Sequence, residues 1–241
     1  MTTLPEDGGA VGVRVRTRAT VRTGRYAMAG AEPAAASRIW FALHGYGQLA
    51  TRFLRPFEGL IPADTCVVAP EGLSRFYLES PRADGSHMQR IGATWLTRES
   101  RDTEIEDVRL WLDRVHDEVV GESLRARGVS PSTAVLGFSQ GVATAMRWVA
   151  SGHVRPRCFV AWAGGLAHDV AEDDFRARLI GADTVLVAGL RDSFATEEAR
   201  AKVRADFAQY HAAPREISYD GEHHLDSATL VELLTMYPRH G

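Results

Sequence analysis

The feature that most constrains the fold is a set of short segments that are apolar at almost every position. Each is four or five residues long, and they recur along most of the chain: Ile39–Leu43, Cys66–Ala69, Ala134–Phe138, Cys158–Trp162 and Val185–Ala188. A strand with one face in water alternates apolar and polar residues, whereas a strand buried on both faces does not. The pattern therefore predicts an α/β fold with a mostly parallel central sheet and helices on both of its faces.

The segments around these strands complete the expected architecture. Apolar residues at helical spacing predict a long helix capped by Asp102, and then three more: Gln140–Ser151, Thr196–His211 and one starting at Asp226 or Ser227. In Val11–Val21, apolar residues alternate with arginine, which predicts an antiparallel strand at the N-terminal edge. Ile217–Tyr219 is predicted to be a short last strand. With no repeat or linker visible, we predict one α/β domain over residues 1–241.

Composition excludes several classes of protein. The 241 residues carry a net charge of −3, which argues against a nucleic-acid-binding protein with a basic surface. The N-terminus lacks the pattern of a signal peptide, and no apolar stretch approaches the roughly 20 residues of a membrane span. We therefore predict a cytoplasmic protein without stable membrane insertion. Cys66 and Cys158 lie in apolar runs and are predicted to be buried thiols.

A Gly-x-Ser-x-Gly motif at residues 137–141 supplies a candidate nucleophile, Ser139. An apolar strand leads into it and a predicted helix leads out, which is the strand–turn–helix context of a nucleophile elbow. Such a turn is strained and crowded, so glycine is favoured on both sides of the serine. The alternative is an ordinary glycine-rich turn between a strand and a helix.

A serine nucleophile requires a base and a group that orients the base, and both are expected on loops after later strands. Asp192 follows the strand at 184–188 and is the candidate acid. His223 and His224 follow the strand at 217–219, and the residues alone leave open which is the base. A metal site formed by the two histidines is the competing interpretation, but no further cluster of ligands supports it, so we predict no metal.

The loop after the first buried strand is the candidate oxyanion site. Gly45 and Gly47 would let the backbone turn its N–H groups inward. The expected donors are the backbone N–H groups of Tyr46 and of Gln140, the residue after the nucleophile. His44 is expected to fix the loop, since the chain already offers a base near its C-terminus.

Taken together, these residues resemble the α/β-hydrolase superfamily, and more closely its phospholipase/carboxylesterase branch, which includes the acyl-protein thioesterases. The matching segments are Leu-His-Gly-Tyr-Gly (43–47), Ala-Pro-Glu-Gly (69–72), Gly-Phe-Ser-Gln-Gly (137–141), Gly-Leu-Arg-Asp (189–192) and Gly-Glu-His (221–223). The resemblance implies a serine hydrolase with the triad Ser139, Asp192 and His223, and it favours His223 over His224.

Residues 73–98 depart from the thioesterase pattern. They are similar to a set of bacterial predicted esterases with Ser-Arg-Phe-Tyr and Gly-Ala-Thr-Trp segments, here 74–77 and 92–95. We predict that this insertion borders the substrate pocket, with Trp95 and Tyr46 as aromatic contacts. All but one of the 28 basic residues are arginine. Arg75 and Arg98, together with Arg90, are predicted to bind an anionic group on the substrate, because guanidinium binds such groups in a bidentate way.

These observations predict hydrolysis of small to medium carboxylic esters through an acyl-enzyme on Ser139. Two alternatives remain: an acyl-thioesterase or lysophospholipase, and a hydrolase-fold protein that binds a ligand without turnover. The sequence contains no phosphate loop or dinucleotide fingerprint, so we predict no cofactor and a small-molecule ester as partner. It does not fix the oligomeric state.

Overall fold

The computed structural model describes residues 14–81, 87–210 and 212–237. Within them, seven strands form one sheet: β1 (Tyr26–Gly30), β2 (Arg38–Leu43), β3 (Thr65–Pro70), β6 (Ser132–Phe138), β7 (Cys158–Trp162), β8 (Asp183–Gly189) and β9 (Arg215–Tyr219). Their spatial order is β1-β3-β2-β6-β7-β8-β9. Every neighbouring pair is parallel except β1 and β3. The predicted mostly parallel sheet is confirmed.

Helices cover both faces of this sheet, which explains why its strands are apolar throughout. They are α1 (Ala50–Phe53), α2 (Arg101–Arg127), α3 (Gln140–Ser151), α4 (Glu172–Leu179), α5 (Glu197–Gln209) and α6 (Ser227–Met236). In β2, Ile39 and Phe41 join the core beneath α2 and α3, whereas Trp40 faces the core beneath α1 and α6. Both sets of side chains are removed from water, so no position favours a polar residue.

The predicted N-terminal strand is wrong in its position. Residues 11–13 lie outside the described residues, and residues 14–25 form no strand. Val15 and Val21 are 86% and 99% exposed, so the alternation of valine and arginine buries neither face. The antiparallel edge of the sheet is β1 instead, which pairs with β3 and places Tyr26 against the Trp111 ring at 6.3 Å.

Helix boundaries follow the sequence with small corrections. Asp102 does not cap α2, because the cap position belongs to Ser100 and Asp102 lies in the first turn. α5 follows Thr196, whose hydroxyl accepts a hydrogen bond from the Ala199 N–H, and α6 follows Asp226. His211, the predicted end of α5, lies outside the described residues.

The segment at 73–98 contains a β-hairpin that lies apart from the main sheet. Its strands, β4 (Ser74–Pro81) and β5 (His87–Thr94), pair antiparallel. The end of β5 is joined to the loop after β2, where the Gly47 N–H donates to the Ala93 carbonyl at 2.8 Å. The hairpin is therefore attached beside the candidate oxyanion loop.

Two further predictions concern the cysteines and membrane insertion. Cys66 and Cys158 are free, buried thiols, as predicted, and β2 and β6 separate the strands that carry them. Burial raises the pKa of the Cys66 thiol to about 12 and that of Cys158 further. Of the helices that the structure describes, none combines the length and the hydropathy that crossing a bilayer requires.

Candidate active site

Ser139 occupies the sharp turn between β6 and α3. Its φ of 54° and ψ of −120° place a non-glycine residue in a sparsely populated conformation that costs about 1–3 kcal/mol. Two backbone hydrogen bonds hold it there, from the Ser139 N–H to the Trp162 carbonyl at 2.8 Å and from the Val142 N–H to the Ser139 carbonyl at 3.0 Å. The side chain does not cap α3, so its hydroxyl is left for another partner.

Close backbone packing around this turn explains its glycines. A Cβ on Gly137 would lie 2.5 Å from the Gly141 carbonyl oxygen, and one on Gly141 would lie 2.2 Å from that of Leu43. Gly164, on the loop after β7, packs equally close, since its Cβ would lie 2.2 Å from the Ser139 carbonyl oxygen. The sequence motif indicated the first two glycines but gave no signal for Gly164.

Asp192 and His223 are brought together at the carboxyl end of the sheet. His223 Nδ1 lies 2.7 Å from Asp192 Oδ2. The other carboxylate oxygen, Oδ1, accepts hydrogen bonds from the N–H groups of Phe194 at 2.8 Å and Ala195 at 3.1 Å. Asp192 is buried, so its carboxylate is fixed by the loop that follows β8 and in turn fixes the imidazole.

The two adjacent histidines point to different surroundings. The His223 ring lies between the rings of Phe138 and Phe194, at centroid distances of 4.8 and 5.0 Å. His224 packs against the Tyr219 ring at 5.4 Å instead. Among the side-chain hydrogen bonds of the described residues, none joins Ser139 to His223. The two residues are nevertheless close, because the ring that contacts His223 belongs to Phe138, the residue before Ser139.

The loop after β2 lies directly against the nucleophile turn. A Cβ on Gly45 would lie 3.1 Å from the Ser139 Cβ. The Gly45 N–H donates to Gln48 Oε1, and the Gly47 N–H donates to the Ala93 carbonyl. Those of Tyr46 and Gln140 donate to no acceptor within the described part of the chain. Both predicted oxyanion donors are thus unpaired in the described structure.

His44 fixes this loop from beneath, and its hydrogen bonds define its protonation. The Gly72 N–H donates to His44 Nε2 at 3.0 Å, so Nδ1 carries the proton and donates to the Gly45 carbonyl at 2.7 Å. Burial lowers the pKa of His44 to about 4, which keeps the ring neutral. The imidazole therefore acts as a bridge between two backbone segments and has no lone pair left for a substrate.

His44 should make the folded chain acid-sensitive. A histidine in the unfolded chain has a pKa of about 6.5, so between pH 6.5 and 4 the unfolded state binds a proton that the folded state does not. Stability is then complete above about pH 6.5 and falls by about 3 kcal/mol on reaching pH 4. Urea denaturation of the wild type and of His44→Gln across this range measures the effect. The two stability curves should converge as pH falls, and parallel curves would contradict this role.

Trp95 and the Gln140 side chain connect the hairpin to the site. Gln140 Nε2 donates to Thr94 Oγ1 at 2.9 Å, and the Trp95 N–H donates to Gln140 Oε1 at 3.3 Å. Trp95 is only 1% exposed, stacks on His44 at 4.6 Å and donates from its indole N–H to the His44 carbonyl. The prediction that Trp95 contacts substrate is therefore wrong, because its ring packs beneath the site.

The other predicted substrate contacts differ in their placement. Tyr46 is 60% exposed and its ring lies 5.1 Å from that of Phe76, on the hairpin. Arg75 donates from Nε to Glu71, a buried carboxylate, at 2.6 Å, and its role in binding an anionic substrate group stays a prediction. Arg98 is exposed, two residues after Leu96, and does not line the cleft that opens beside Ser139. Its binding of an anionic substrate group stays a prediction.

A cleft of about 380 Å³ opens beside Ser139. Its walls come from the loop before α2, from the first turns of α3 and from the loops after β7 and β8: Leu96, Gln140, Ala143, Thr144, Arg147, Ala163, Gly164, Gly165 and Phe194. Arg147 is held by Asp169 through hydrogen bonds of 2.7 and 3.0 Å. Sequence reasoning missed Arg147 and Phe194, because neither lies in a recognisable motif.

A model of the family described as Serine hydrolase (FSH1) matches residues 37–229, which include every triad and oxyanion candidate. The chain belongs to this serine hydrolase family. No curated protein sequence matches this FSH1-family chain.

Similarity to solved structures gives independent evidence for the fold of this FSH1-family chain. It is similar to acyl-protein thioesterase 2 of Zea mays, with a TM-score of 0.62 and 16% identity over 88% of this chain and 97% of that one. A carboxylesterase of Mesorhizobium loti gives 0.62 and 18%, covering 88% and 95%. The Bacillus cereus carboxylesterase gives 0.60 and 12%, covering 89% and 93%. The predicted α/β-hydrolase fold is confirmed.

Proposed function

We propose that this chain hydrolyses small to medium carboxylic esters through an acyl-enzyme on Ser139. The observation that carries the proposal is the 2.7 Å contact between His223 Nδ1 and the buried Asp192, on the same sheet edge as a serine held in a strained turn. A carboxylate at Nδ1 holds the proton on that nitrogen and leaves Nε2 as a base. This is the arrangement that activates a serine hydroxyl.

In the proposed reaction, Ser139 Oγ attacks the acyl carbon while His223 Nε2 takes its proton. The hydrogen bond between these atoms is one that commonly shortens only when substrate binds. The N–H groups of Tyr46 and Gln140 hold the oxyanion, and losing one such donor typically costs about 3 kcal/mol. His223 then protonates the departing alcohol, and water, deprotonated by the same nitrogen, releases the acid.

A second, apolar pocket supports the preference for a short acyl group. It has a volume of about 140 Å³ and shares Ala163, Gly164, Gly165 and Phe194 with the cleft beside Ser139. An apolar cavity of about 150 Å³ accommodates a benzene molecule, so this one suits an acyl chain of about six carbons. A palmitoyl group is too large for this pocket alone, which weighs against the long-chain thioesterase and lysophospholipase alternatives.

Acyl-chain preference tests this assignment. With p-nitrophenyl esters from acetate to palmitate, kcat/KM should peak at about four to six acyl carbons. Ala199 lines the pocket on α5, so Ala199→Phe should move the optimum to acetate and reduce hexanoate hydrolysis by about tenfold or more. Ala201→Phe is the matched control, because that residue is exposed on the same helix. An optimum at palmitate would favour the long-chain alternatives.

A further inference from the structure

A second cluster of titratable side chains lies at the end of α3 remote from Ser139. The twelve residues of α3 separate the two places by about 18 Å. His116 and Asp117 lie on α2, and His153 follows the C-terminal end of α3. His153 Nε2 lies 2.7 Å from Asp117 Oδ1, and His116 Nδ1 lies 3.3 Å from the same oxygen. The proposed ester hydrolysis uses none of these groups.

The spacing of these atoms suits a metal ion. One ligand atom from each residue lies within 4.8 Å of the other two. Zinc binds imidazole nitrogen and carboxylate oxygen at about 2.0–2.2 Å in tetrahedral geometry, which separates neighbouring ligand atoms by about 3.4 Å. The imidazole rings of His116 and His153 are 5.2 Å apart and cross at 79°, so they do not stack on each other. Asp117 is exposed, so its side chain is free to rotate and move its oxygen to about 3.4 Å from the two imidazole nitrogens.

A buried carboxylate stands behind the cluster. Asp113 accepts hydrogen bonds from Trp148 Nε1 at 2.9 Å and from the Arg109 guanidinium at 2.7 Å. Its Oδ1 also lies 4.0 Å from His153 Nδ1, the ring nitrogen that faces away from Asp117. Metal-bound histidines usually direct their second nitrogen to such a carboxylate, which sets the ring orientation.

We propose that His116, Asp117 and His153 bind a Zn²⁺ ion, with water in the fourth position and Asp113 as the nearby carboxylate that the second nitrogen of His153 faces. The ion joins α2 to the loop after α3 and stabilises the packing of these helices. Because it lies a helix length from Ser139, its role is structural.

Zinc titration of the full-length protein, after treatment with EDTA, tests the site. Zn²⁺ should bind one to one in calorimetry and raise Tm by about 5–10 °C when its concentration exceeds Kd a hundredfold. His153→Ala and His116→Gln should weaken binding by more than tenfold and abolish the Tm shift. His168→Ala is the control, because this histidine is exposed and lies outside the cluster.

The outcome distinguishes this site from the histidines near Asp192. No saturable binding to the wild type, or equal binding to wild type and His153→Ala, would overturn the proposal. Binding that survives His153→Ala but is lost in His224→Ala would place the ion near the sheet edge and also contradict it. His153 is exposed, so its replacement by alanine should leave the fold intact, which circular dichroism can verify.

Discussion

Ser139→Ala should lower kcat for p-nitrophenyl butyrate by about 10⁶-fold, because no acyl-enzyme can form without the hydroxyl. The residual rate would come from the oxyanion donors and from substrate binding alone. Alanine fits the space of the serine side chain, so the turn at φ 54° is unchanged and the variant should fold normally. A stopped assay with purified protein and a matched melting curve measures both properties.

Covalent labelling sharpens this test. A fluorophosphonate should modify the wild type at Ser139, as mapped by mass spectrometry, and should not modify Ser139→Ala. Ser218→Ala, an exposed position on the edge strand β9, should label and turn over like the wild type. Wild-type activity in Ser139→Ala would place the nucleophile elsewhere. A folded wild type that resists labelling would support the ligand-binding alternative.

Asp192→Asn should reduce kcat by about 10³- to 10⁴-fold with little change in KM. Oδ1 of residue 192 accepts the N–H groups of Phe194 and Ala195, so the asparagine oxygen would keep that place. Its NH₂ group must then face His223 Nδ1 and donate to it. The imidazole proton would move to Nε2, the nitrogen that has to act as the base, and the base would be lost.

A second Asp→Asn variant distinguishes loss of the correct imidazole tautomer from simple loss of a negative charge. Asp220→Asn removes another carboxylate from the same group of loops, where it pairs with Arg191 on the surface, and should leave kcat unchanged. If Asp192→Asn kept wild-type kcat, the contact between Asp192 and His223 would have no part in catalysis. Melting temperatures of both variants control for unfolding.

The buried strands were predictable from sequence because each position in them lacks water on either face. β7 was predicted to the residue, and β2, β3, β6, β8 and β9 to within two residues at each end. Alternation in Val11–Val21 misled because a period of two describes a strand only when one face has something to pack on. β1 has little alternation and was missed, since its position is set by pairing with β3.

The candidate site shows the same division between local and tertiary information. Ser139, Asp192 and the two histidines each follow a strand, so chain order alone placed them at one edge of the sheet. The choice between His223 and His224 depends on a contact across 31 residues, and only the resemblance to a family favoured one of them. Trp95 was misjudged because its partner, His44, lies outside the insertion that carries it.

The backbone contacts around Ser139 have a consequence for protein engineering. Three sides of the turn are closed by Gly137, Gly141 and Gly164, where any side chain would meet a neighbouring backbone atom. The apolar pocket, by contrast, is walled by side chains such as Ala199 and Val203 on α5. A mutagenesis library confined to α5 would therefore sample new acyl preferences in folded protein, whereas one that randomised the three glycines would consist mainly of unfolded chains.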